Sequence, residues 1–153
     1  MIFPGAISLA AFFAVSIASF IGMEFVAWSS HKWIMHGPLW FLHESHHVRS
    51  KGRFEANDLF GLFFSLVSIA LMGYGVYSAH GFHPAWFGCG MGMAAYGLAY
   101  LLMHDTLTHG RFGRVGLPRN AYLRRLIRAH RIHHAKDTRD GAVHFGFLWT
   151  PKE

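Results

Sequence analysis

Three long apolar stretches dictate most of what this chain can become, because about twenty consecutive apolar residues are what a helix needs to cross a bilayer. The first runs from about Ile2 to Trp28 and carries Glu24 as its one charge. The second, Leu59 to Ser78, and the third, Ala85 to Met103, carry no charge at all. At 1.5 Å per residue, the twenty residues of the second reach about 30 Å, the thickness of a hydrocarbon core. Composition agrees: 52% of residues are hydrophobic and 14% charged, against about 25% charged in soluble domains. The chain therefore reads as one all-α integral membrane domain over 1–153, with spans at about 2–28, 59–78 and 85–103. Residues 31–57 and 104–148 form a helical cap.

The connector AHGFHP between the second and third stretches holds Gly81 and Pro84, which turn the chain, so those two helices form an antiparallel hairpin. The ends of the three spans near residues 28, 58 and 104 then share one face of the membrane. All fourteen lysines and arginines fall in 32–53, in 111–139 and at Lys152, which by the positive-inside rule makes that face cytoplasmic. This accounts for the net charge of +6 without nucleic acid, for which no recognition motif exists. No basic residue precedes Lys32 and the first apolar run exceeds a signal-peptide core, so a retained span is expected. PLWFL at 38–42 is too short to cross. LPRNAYLRRLIRAHRIHHA, Leu117 to Ala135, reads as a basic amphipathic helix with its arginines toward water or phospholipid headgroups.

Ten of the thirteen histidines lie on that face in a repeated spacing. His31-x4-His36 is followed by His43-x2-His46-His47, and His104-x4-His109 by His130-x2-His133-His134. On an α-helix the H-x2-H-H residues sit about −60° and +40° from the first and share a stripe. An H-x4-H pair lies about 140° apart, which suits ligands straddling two neighbouring metals or lying near a helix distortion. Ten imidazoles exceed what one ion can use and suit two. The lone Cys89 leaves no thiolate pair, so nitrogen donors point to zinc, copper, iron or nickel. His80 and His83, in the connector, are solvated loop residues. Supporting contacts are expected from Glu24, which lies within about 20° of the His31 face and is costly in a span without a partner. Asp105 and His144 are further candidates. Asn57-Asp58 is read as a helix N-cap. The small residues Gly88, Gly90, Gly92, Ala94, Ala95, Gly97 and Ala99 indicate close helix packing or, alternatively, a substrate groove.

HKWIMHGPLWFLHESHH, KGRFEANDLFG, HDTLTH, YLRRLIRAHRIHH and GAVHFGF together resemble the bacterial β-carotene hydroxylases of the membrane fatty-acid hydroxylase superfamily, over roughly Glu24 to Leu148. The resemblance implies a non-haem diiron monooxygenase whose irons are held by His31, His36, His43, His46, His47, His104, His109, His130, His133 and His134. Zinc can replace iron in a purified sample. The implied reaction uses O2 and two electrons from ferredoxin and its reductase to hydroxylate both β-ionone rings of β-carotene at C3, giving β-cryptoxanthin and zeaxanthin. The implied place is the bacterial inner membrane. Rival readings are a carotenoid ketolase, a fatty-acid or sterol hydroxylase, and a non-enzymatic metal carrier or haem protein. A transport path would spread polar ligands through the spans, and bis-histidine haem would leave most of the ten unused.

Overall fold

In the computed structural model, which describes residues 6–48, 52, 54–113 and 116–151, the described regular structure is entirely helical. Helix α1 (Ala6–Ser29) runs into a π-helix, π1 (Ser30–Met35), and a short α2 (Trp40–His47) follows. The hairpin is α3 (Asp58–Tyr77) and α4 (Pro84–Tyr100), and α4 runs into a second π-helix, π2 (Leu101–Thr108), before α5 (Ala121–His133). Residues 2–5 of the first expected span, and Lys51 and Arg53 of KGRFEANDLFG, lie outside the described residues. Among the described residues three helices are long and apolar enough to cross a membrane: Leu9–Met35, Asp58–Tyr77 and Pro84–Thr108. The first and third thus continue into both H-x4-H motifs, which the sequence had placed beyond the spans, and stop one residue short of His36 and His109.

One compact unit comprises α1 up to Met23 together with Gly61–Gly97; the other comprises Glu24–Phe60 and the chain from Leu98. The first unit is small inside and apolar outside. Leu9, Phe13, Ile17 and Ile21, one stripe of α1, are each at least 55% exposed, as are Phe63, Leu66 and Ile69 of α3. Its buried positions are instead Met23, Ser68, Gly75, Gly88, Gly90, Gly92 and Tyr96, most of them small. This is the pattern of helices that meet lipid with their large side chains and one another with their small ones.

The glycines of α4 pack on two partners. A Cβ at Gly88 or Gly92 would lie 2.8 Å from the Phe12 carbonyl oxygen or 2.3 Å from that of Ser16, both on α1. One at Gly90 would lie 2.6 Å from the Ser68 carbonyl oxygen on α3. Hydroxyls close these seams: Ser68 Oγ donates to the Gly90 carbonyl at 2.7 Å and Ser19 Oγ to that of Cys89 at 2.9 Å. Helix packing, not a groove, accounts for Gly88, Gly90 and Gly92.

In the second unit α5 begins at Ala121 rather than Leu117, because the Asn120 side chain accepts from the Leu123 amide at 3.1 Å and caps the helix. Its inner face, Leu126, Ile127, Ala129, His130 and His133, is buried.

Gly92→Ala should lower the melting temperature in detergent by several degrees, since its methyl meets backbone. Gly97→Ala, with nothing within 4 Å of its Cβ, should leave it unchanged or raise it slightly, as Ala favours a helix over Gly by about 1 kcal/mol. Equal melting temperatures for the two variants would contradict the close approach.

Candidate metal centre

The two π-helices explain the x4 spacing. In a π-helix the amide bonds to the carbonyl five residues back, so residues i and i+5 return to one side. The His36 amide donates to the His31 carbonyl and the His109 amide to the His104 carbonyl, each at 3.0 Å. Thr106 and Thr108 hydroxyls donate to the carbonyls of Leu101 and Met103, also five residues back. A glycine ends each motif. Gly37 passes so close to Trp33 that a Cβ would lie 2.1 Å from its carbonyl oxygen, and Gly110 has φ of 63°.

Within this unit the ten histidines of the repeated spacing converge as two groups of five. His31, His36, His43, His47 and His133 offer nitrogens within 4.8 Å of one another, and so do His46, His104, His109, His130 and His134. The H-x4-H pairs therefore do not straddle the two groups; each pair stays in one, as their place on a helix distortion allows. The H-x2-H-H triplets do the sharing. His43 and His47, at i and i+4 on α2, join the first group while His46 joins the second. On α5, His130 and His134 join the second while His133 crosses to the first. Within one stripe, adjacent histidines still diverge by about 100°, and that divergence divides them.

All five rings of the first group are held through Nδ1. His31 donates to the Phe145 carbonyl, His36 to Arg139, His47 to Lys136 and His133 to Val143, at 2.8–2.9 Å, and His43 donates to the Asn57 amide oxygen at 2.7 Å. In the second group His46 donates to Glu55 at 2.9 Å and His104 to Asp105 at 2.6 Å. A neutral imidazole whose proton sits on Nδ1 presents a bare lone pair at Nε2. Yet the Nε2 atoms face each other: His31 and His43 at 3.1 Å, His43 and His47 at 3.2 Å, His36 and His133 at 3.1 Å, His46 and His104 at 2.9 Å. Lone pairs this close repel unless a cation lies among them. Two nitrogens each about 2.1 Å from one ion are themselves roughly 3–3.4 Å apart. The donor set fits a metal in each group. His134 Nε2 is buried with no hydrogen-bond partner among the described residues, as a ligand atom would be.

Burial favours the neutral form of most of these rings: it pushes His43 down to about 2, His133 to about 3 and His47 to about 4, and it lowers His36, His130 and His134. Aromatic rings pack around them. Trp40 lies 5.0 Å from His36 and 5.1 Å from His47, Phe147 stacks on His31 at 5.1 Å, and Tyr100 stacks on His104 at 4.4 Å.

Of the expected supporting residues, Asp105 bonds a group-two ring directly. Glu24 has a different role from the imidazole partner expected: its carboxylate accepts from the backbone amides of Phe147, Leu148 and Trp149 at 2.9–3.0 Å. It fastens the tail whose Val143 and Phe145 carbonyls hold His133 and His31. Gly146 must be small there, since its Cβ would lie 2.2 Å from the Trp149 carbonyl oxygen. His144 is in neither group; its Nδ1 lies 3.5 Å from Thr150 Oγ1, and its φ of 59° directs the backbone on either side of it. Asn57 bonds His43 with the side-chain oxygen that a cap would have used. His80 and His83 belong to neither group. Glu55, Arg111, Trp40, Tyr100 and the tail carbonyls are the functional contacts that sequence reasoning missed. For Glu55 the available signal was an acid eight residues beyond HESHH.

The chain matches the fatty acid hydroxylase family model over residues 16–151. It is 48% identical over 138 residues to the β-carotene hydroxylase of Pseudescherichia vulneris, covering 90% of this chain and 76% of that one. It is 42% identical over 140 residues to the β-carotene hydroxylase of Paracoccus sp. (strain PC1), covering 91% and 84%. Identity to the chloroplastic β-carotene 3-hydroxylase 1 of Arabidopsis thaliana is 38% over 141 residues, 92% of this chain and 45% of that one. No solved structure matches.

Two outcomes test the centre. Unfolded imidazoles take protons near pH 6.5, while folded His43, His47 and His133 resist until about pH 4 or below, so the unfolded state binds more protons between those values. Stability of the metal-free protein should therefore fall as pH drops from about 6.5 to 4 and be insensitive to these groups above 6.5; a flat denaturation profile across that window would contradict it. Glu24→Gln should speed amide hydrogen exchange at 147–149 and lower the metal retained per chain, and unchanged exchange would remove Glu24 from its anchoring role.

Proposed function

Because the chain belongs to the fatty acid hydroxylase family, we propose that it is a β-carotene hydroxylase that inserts one oxygen atom at C3 of each β-ionone ring. The products are β-cryptoxanthin and then zeaxanthin. The observation that carries the reading is the pair of five-imidazole groups with facing lone pairs, together with hydroxylase relatives at 42–48% identity over most of the chain.

We assign His31, His36, His43, His47 and His133 to one iron and His46, His104, His109, His130 and His134 to the other. Two irons, when bound, supply activation of O2 with two electrons, for which ferredoxin and its reductase are the proposed source. In each turnover a C–H bond becomes C–OH and the second oxygen atom leaves as water with two protons. The protein's part is positional. Nδ1 hydrogen bonds hold the rings with Nε2 inward, and neutral ligands leave the metal charge uncompensated, which favours attack on an unactivated C–H bond. Trp40, Phe145 and Phe147 pack against the first group's rings and keep water from them. An apolar, rod-like carotenoid reaches such a centre from the bilayer. The basic residues that flank the apolar helices support an inner-membrane location with the histidines on the cytoplasmic side.

Expression in a host that accumulates β-carotene, followed by carotenoid chromatography, should yield β-cryptoxanthin and zeaxanthin, and His133→Ala should yield neither. Canthaxanthin in place of hydroxylated products would identify a ketolase, and unchanged β-carotene beside well-expressed protein would sink the assignment. Purified protein should carry two irons per chain and no haem spectrum.

A further inference from the structure

The two groups of five differ in what their rings lean on. Every Nδ1 of the first group donates to an uncharged oxygen, those of Phe145, Arg139, Lys136, Val143 and Asn57. Two rings of the second donate to carboxylates, His46 to Glu55 and His104 to Asp105. A carboxylate accepting from Nδ1 makes the imidazole a stronger base at Nε2 and brings negative charge toward whatever cation Nε2 holds.

One guanidinium organises both carboxylates. Arg111 donates to Asp105 Oδ2 at 3.3 Å, and its own amide donates to the Asp105 carbonyl at 2.8 Å. It also grips Asp58 with both terminal nitrogens, one at 2.7 Å to Oδ1. Asp58 Oδ2 in turn accepts from the Glu55 amide at 3.0 Å. Arg111 thus fixes Asp105 directly and Glu55 through Asp58. Glu55, Asp105 and Arg111 line a cleft of about 460 Å³ with His109 and His134 on its wall. Arg131 lines it too, but the carboxylates are the atoms that touch the rings.

We propose that the two groups are unequal, that the group of His46, His104, His109, His130 and His134 holds its ion more tightly and loads first, and that Arg111 is the positioning residue that sets this order. The inference rests on the dimetal reading above. Openness by itself speeds both entry to and release from the second group, since His109 is exposed and the first group wholly buried, so the difference in affinity must be read at equilibrium.

The test is titration of the metal-free full chain in detergent with Co(II) against a competing chelator, followed by ligand-field absorption, with melting temperature recorded for each variant. The wild type should show two classes of site. Asp105→Asn, Glu55→Gln and Arg111→Gln should each weaken the tighter class about 10–100-fold and spare the looser one. Asn57→Asp, which sets a carboxylate against His43, should strengthen the looser class and leave the tighter unchanged. Glu55 is 22% exposed, so Glu55→Gln keeps the test decisive if Asp105→Asn fails to fold. Two equal sites in the wild type, or weakening of the looser class by Asp105→Asn, would overturn the inference and leave the dimetal reading intact. Fewer than two ions bound per wild-type chain would overturn both.

Discussion

Lone-pair convergence is the constraint on which the histidine-bearing unit depends. Each ring of the first group spends its Nδ1 proton on a fixed acceptor, which leaves five bare Nε2 atoms aimed at one another within 4.8 Å. Packed imidazoles are also what this unit has in place of an ordinary core. Of the three side chains buried almost completely, Ile127, His31 and His133, two are ligand candidates. The apolar residues buried beside them are few: Ala27, Met35, Leu126 and Ala129. An interior made of mutually repelling acceptors gains cohesion when cations enter it, so metal binding and folding of this unit are coupled.

Much of this was legible because two periods, one of hydrophobicity and one of histidine, are written directly in side-chain identity. The uncharged runs 59–78 and 85–103 became α3 and α4 with boundaries moved by one to three residues. The ten histidines that the repeat singled out are the ten that converge. Their division between groups was not legible, because it turns on backbone geometry. An α-helical reading of H-x4-H puts its members about 140° apart, whereas the π-helices carry them round to one side. The glycine after each pair, Gly37 and Gly110, is the sequence trace of that change in winding.

What sequence reasoning could not see were acceptors without side chains. Four of the five first-group rings donate to backbone carbonyls, all from the stretch between Lys136 and Phe145. Any residue carries a carbonyl, so nothing in GAVHFGF announces the role. The one side chain there that invited attention, His144, lies in neither group, and its backbone has a φ of 59°. Glu24 was legible as functional, because a carboxylate in a span demands partners. Its partners turned out to be three amides of the same tail, which places the acid one step further from the rings than an imidazole contact would.

The same economy governs charge. Ten neutral imidazoles supply no negative charge, so two divalent ions would bring four positive charges into a buried site. Among the described residues, the carboxylates hydrogen-bonded to the rings are Glu55 and Asp105, and Arg111 cancels part of their charge. A centre built this way would leave its cations strongly electron-withdrawing, in contrast to carboxylate-ligated sites where each ligand carries a charge. It is suited to substrates with no charge or hydrogen bond to offer. The exposed apolar stripe of Leu9, Phe13, Ile17 and Ile21 on α1 suits the medium where such molecules dissolve. For the proposed hydroxylation of a hydrocarbon, neutral ligands and apolar, membrane-capable helices answer one requirement: an electron-poor centre in a protein suited to the medium where such substrates dissolve.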